Sequence, residues 1–93
     1  MAANAATICK QNIDKISGMV SELALQQHAL GHAPGMNLVT HTEYRNIEQH
    51  LTSIVEGLDM LRSEYVRTIE RLKLIGVVPD GETYEAHVVK QTT

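Results

Sequence analysis

The sequence predicts an all-α fold: an antiparallel two-helix hairpin, coiled-coil-like, that assembles into an oligomeric helical bundle and ends in a short extended C-terminal tail. Three observations lead there. Two long segments carry apolar residues at alternating steps of three and four, the spacing that lines one face of a helix. Both segments are bounded by residues that start or stop helices. A short stretch rich in Gly and Pro, GHAPGMNLV, joins them. The chain therefore reads as a single helical-hairpin domain over 1–93, with helix 1 at about 5–30, a connection at 31–40, helix 2 at about 41–75 and a tail at 77–93.

The first helix has two candidate N-caps, Asn4 and Thr7, whose side-chain oxygens suit unpaired first-turn N–H groups. Its stripe runs Cys9, Ile13, Ile16, Val20, Leu23, Gln27, Leu30. Gly31 is expected just past its end, and Pro34-Gly35 prevents continuation. The second helix opens on a capping box, Thr40 and Glu43, with Val39 and Tyr44 placed as a hydrophobic staple. Its stripe runs Tyr44, Ile47, Leu51, Ile54, Leu58, Leu61, Tyr65, Leu72, Ile75, interrupted only by Thr68. Gly76 supplies a left-handed stop and Pro79 bars a restart. In the tail, Pro79-Asp80-Gly81 is a turn signal, and Tyr84, Ala86 and Val88 alternate with Glu85 and His87 in a weak strand pattern.

Facing positions of an antiparallel pair have a constant index sum. Cys9 with Leu61, Ile13 with Leu58, Ile16 with Ile54, Val20 with Leu51, Leu23 with Ile47 and Gln27 with Tyr44 agree on a sum of about 70, a tight hairpin with a heptad seam. Gln27–Tyr44 is the polar layer, suited to fixing register. In this register the end of helix 2 overhangs helix 1 by about nine residues, roughly 13 Å. Tyr65 and Thr68 then meet only the first residues of the chain, and Leu72 and Ile75 meet nothing. Further apolar residues lie off the seam: Met19, Leu25, Val55, Met60, Val66, Ile69 and Leu74. A lone two-helix core is small, so the expectation is self-association, ahead of a tail that folds back over the overhang through Val77, Val78 and Tyr84. Gly18 and Gly57 sit inside the helices, off the seam, each costing about 1 kcal/mol relative to Ala; either the cost is simply tolerated or another backbone approaches there.

Composition narrows function. The chain has no Trp, no Phe and three Tyr, an aliphatic make-up that suits helix seams. A formal charge of −3 disfavours binding to a nucleic-acid backbone. The lone Cys9 has no intrachain disulfide partner, there is no signal-peptide pattern, and no apolar run approaches the roughly 18 residues of a membrane span. These features predict a cytoplasmic protein without membrane partners.

His28, His32 and His41, with Glu43, have the residue types of a zinc site, but a helix ending at Gly31 spoils the geometry, and solvated histidines are the expectation; no metal or other cofactor is assigned. Helix 2 carries acidic residues in its first half and Arg62, Arg67, Arg71 and Lys73 in its second, which complements the helix dipole. The sharper alternative is an anion site, with Arg62, Tyr65, Arg67 and Arg71 holding an anionic metabolite or nucleotide between protomers. No nucleophile elbow, phosphate loop or paired carboxylate is present, and Cys9 lies on the seam, so no enzyme is expected. The function that follows is a non-enzymatic interaction module of the adaptor, chaperone-like or inhibitor kind. It would contact itself and a protein partner through Val66, Ile69, Leu72 and Ile75, rimmed by Arg67 and Arg71. Small-ligand sequestration is the alternative.

Overall fold

A computed structural model describes residues 3–80 of the chain. Helix α1 spans Ala5–Gly31 and helix α2 spans His41–Leu74, with a single 3-10 turn, Met36–Leu38, between them. The two helices pack against each other, and there is no strand among the described residues. The alternating segment around Tyr84, Ala86 and Val88 lies outside them.

The helix ends follow local chemistry. Asn4 caps α1: its Oδ1 accepts from the Thr7 N–H at 2.8 Å and from the Thr7 hydroxyl at 3.0 Å. Thr7 is therefore the third residue of the helix, not its cap. At α2 the capping box is reciprocal. Glu43 N–H donates to Thr40 Oγ1 at 3.0 Å, and Thr40 N–H donates to Glu43 Oε1 at 2.9 Å. Val39 and Tyr44, the staple pair, are both half-buried. The far end of α2 is a Schellman turn. Val77 N–H bonds the Leu72 carbonyl at 2.9 Å and Gly76 N–H bonds the Lys73 carbonyl at 3.1 Å, with Gly76 left-handed at φ 90°. The end of α1 differs from expectation. Gly31 is the last helical residue and its φ is not positive; α1 closes through turns from His32 to Ala29 and from Ala33 to Leu30, and the left-handed residue is Gly35, at φ 87°. Two successive turns satisfy the last carbonyls here, so no left-handed cap is needed.

The chain's contacts divide into two compact units, Met1–Asp14 with Arg62–Thr93, and Lys15–Leu61. In the first, Ala6, Thr7 and Cys9 are buried from α1, Ile69 is buried from α2, and Pro79 is fully enclosed. A hydrogen-bonded latch joins the start of α1 to the segment after α2. Asn4 Nδ2 donates to the Val78 carbonyl at 2.9 Å and to Asp80 Oδ1 at 3.2 Å, and Asp80 N–H donates to Thr7 Oγ1 at 2.6 Å. In the second unit Ile16 is buried, and Val20, Leu23, Gln27 and Leu30 are half-buried, as are Tyr44, Leu51, Val55 and Leu58.

The grooves bear on the expected pairs one by one. Ile13 shares a groove with Arg62, Ser63, Val66 and Arg67, well past Leu58. Gln27 shares one with Val20, Leu51, Thr52 and Val55. In these grooves Ile13 and Gln27 lie beside α2 residues further along than the sum of 70 implies, while Val20 and Leu51 share a groove as expected. The overhang is correspondingly reduced: Ile69 is only 7% exposed and Leu72 is half-buried. Residues 77–80 bond back to the start of α1, as the fold-back through Val77 and Val78 expects; Tyr84, its third residue, lies outside the described residues. Burial of Ile69 and Leu72, together with the latch, favours this contact.

Candidate functional site

The stripe of α2 divides lengthwise. Tyr44, Leu51, Leu58, Tyr65 and Leu72 repeat every seven residues and are all half-buried. Val55 and Ile69, four residues after Leu51 and Tyr65, lie on the covered side with them. Of the positions three residues after each repeat, all but the half-buried Thr68 are left out. Ile47 is 43% exposed, Ile54 53% and Leu61 44%. An amphipathic helix of a bundle carries an apolar arc at least about 100° wide, more than one neighbouring helix covers. Among the described residues, eleven large hydrophobic side chains are exposed and only Ala6, Cys9, Ile16 and Ile69 form the buried hydrophobic core. The apolar edge Ile47–Ile54–Leu61 is the most regular part of that surplus. Gly57 lies on the same edge between Ile54 and Leu61, and a side chain there would meet nothing within 4 Å.

The sequence-predicted contact residues separate. Val66 and Ile75 are exposed, as are Arg67 and Arg71, whereas Ile69 is in the core and Leu72 is half-buried. Ile69 is thus a packing residue of the first unit. Thr68, which interrupts the stripe, turns its hydroxyl to the Glu64 carbonyl at 2.8 Å.

Two of the four residues of the anion alternative share a groove. Arg62 and Arg67 line a groove of 340 Å³ with Ile13, Ser63 and Val66, but Tyr65 and Arg71 do not line it. Arg67 is already paired with Glu64, both largely exposed, and Arg62 has an interaction of its own. A second groove, of 430 Å³, is lined by Val20, Ala24, Gln27, Leu51, Thr52, Val55 and Glu56. Gln27 Nε2 is buried there without a hydrogen-bond partner.

The His28 and His32 rings lie 4.5 Å apart, tilted by 55°. His41 faces Arg45 instead, its Nε2 3.4 Å from Nη2. Among the described residues no three His, Cys, Asp or Glu side chains converge as a metal site would require. Cys9 is a free, buried thiol. Glu43 is held below the ordinary glutamate range, first by the Thr40 backbone N–H and then by the Thr40 side chain. No helix among the described residues is long and apolar enough to cross a membrane.

No protein-family model matches the chain, and neither a curated protein nor a solved structure matches it.

Proposed function

We propose that this chain is a non-enzymatic protein-interaction module: an antiparallel helical hairpin that docks other helices along α2, in an oligomeric bundle and against a protein partner. The observation that carries this reading is the uncovered edge Ile47–Ile54–Leu61 beside a covered row of Leu51, Val55 and Leu58. Covering these three exposed side chains would contribute about 2–4 kcal/mol per protomer, a large increment for so small a core. The docking surface is accordingly centred on the middle of α2, with Val66 and Ile75, and the rim residues Arg67 and Arg71, extending it toward the C-terminal end. Sequestration of a small anion has less support, since only Arg62 and Arg67 share a groove.

A photo-reactive amino acid at position 54, compared with one at the exposed polar position 53, tests the reading in cells making the protein. Discrete adducts are expected at 54 and not at 53, and Leu61→Asp should abolish them. Equal labelling at the two positions would defeat the proposal.

A further inference from the structure

We propose that His28 and His32 form a chelating site for a divalent copper ion at the end of α1. The site goes beyond the docking function and does not depend on it. The two histidines stand four residues apart, a spacing that puts side chains on one face only while the backbone between them stays helical. A left-handed cap at Gly31 would have turned His32 away. Gly31 is instead helical, its φ is not positive, and His32 N–H carries the turn onward by bonding the Ala29 carbonyl at 3.2 Å. The two rings consequently lie 4.5 Å apart between centres, tilted by 55°. Both residues are exposed, so an ion reaches them from solvent. Both belong to the Lys15–Leu61 unit, so the site is complete within one unit.

The separation of the rings selects the ion. A ring nitrogen is about 1.2 Å from its ring centre and a metal about 2.0–2.1 Å from the nitrogen, so a shared metal sits about 3.2 Å from each centre. Two rings at a right angle about the metal then have centres about 4.5 Å apart, and at the tetrahedral angle of zinc about 5.2 Å. The observed 4.5 Å is the right-angle value, that of neighbouring positions in the tetragonal coordination of copper(II) and nickel(II). Of the two, copper binds a given nitrogen site more tightly. Among the described residues no third His, Cys, Asp or Glu joins the pair to make a closed site, and His41 faces Arg45. The chelate is therefore open, with two imidazole nitrogens from the chain and water in the remaining positions. Bound there, the ion bridges the last turn of α1 across Gly31, a residue type that holds a helix poorly.

Calorimetric titration of the full chain, free of any histidine tag, with copper(II) in a non-coordinating buffer tests this. The site should bind with a dissociation constant of about 100 µM or lower. His28→Ala and His32→Ala should each weaken it by about tenfold or more, because one imidazole cannot chelate, while His41→Ala and His50→Ala should leave it unchanged. Leu25→His combined with His28→Ala keeps the number of histidines but sets the two imidazoles two helical turns apart, and should not recover the affinity. Leu25, His28 and His32 are all exposed, and far-UV circular dichroism without metal confirms that each variant is folded. Electron paramagnetic resonance of the copper-loaded chain should show two imidazole nitrogens, and one in either single variant. Zinc should bind the same pair at least about tenfold more weakly than copper. Copper binding weaker than about 100 µM, unchanged in either single variant, or recovered by the Leu25→His exchange overturns the site. Zinc bound as tightly as copper overturns the assignment of the ion.

Discussion

Truncating Ile69 and Ile75 separately distinguishes the observed packing from the one that heptad arithmetic alone suggests. With a sum of 70, both residues belong to an unpartnered overhang, and their substitutions by Ala should cost similarly little. In the structure Ile69 is 7% exposed and Ile75 is 67% exposed. Ile→Ala at a buried site costs about 2–5 kcal/mol, and the low end applies where surroundings can relax, as in a two-helix unit open to solvent; the expected loss at Ile69 is about 2–3 kcal/mol. At Ile75, outside α2 and two-thirds exposed, the change should stay within about 0.5 kcal/mol. Urea unfolding followed at 222 nm gives both values, at one fixed protein concentration so that any assembly contributes equally. Equal losses at the two positions would refute the assignment of Ile69 to the core.

Other outcomes follow from single groups. Asn4→Ala removes the cap of α1 and the bond to the Val78 carbonyl together, and should cost about 2 kcal/mol, about 1 from each, in thermal or urea unfolding. Gly76→Ala forces a Cβ into left-handed backbone at φ 90° and should lose about 1–2 kcal/mol, while Gly76→Asn should lose less. Gln27→Leu replaces a buried amide nitrogen that has no partner, and should leave stability unchanged or raise it by about 1 kcal/mol. Because the Glu43 carboxylate is held below the ordinary value of 4.5, its contribution is complete above that value and fades as pH falls through the lower, folded-state value. The stability gap between wild type and Glu43→Gln should accordingly narrow in acid below pH 4.5, as read by thermal unfolding at a series of pH values.

What the sequence made legible was local. The Thr40–Glu43 box and the Gly76 stop are signalled within a few residues, and both appear with the hydrogen bonds their chemistry demands. The covered row of α2 is partly legible: Tyr44, Leu51 and Leu58 belong to the periodic stripe, whereas Val55 and Ile69 fall off the heptad seam. They belong to it because α1 lies to one side of the stripe rather than over its centre. Register was not legible, for a physical reason. A seam that repeats every seven residues matches itself after a shift of seven, so agreement of six layers cannot choose between settings. Long-range contacts such as those of Asn4 and Thr7 with Val78 and Asp80, 74 and 73 residues away, help fix which residues meet, and no short-range pattern announces such a pair.

The placement of Cys9 has a practical consequence. The chain's lone thiol sits 8% exposed within the unit that holds the latch, so a thiol reagent reaches it only when that unit opens. Its modification rate therefore measures how often the start of α1 detaches, in the untouched protein and without denaturant. A change at Asn4 that loosens the latch should accelerate labelling in proportion to the opening it allows, turning a buried small side chain into a clock for local unfolding.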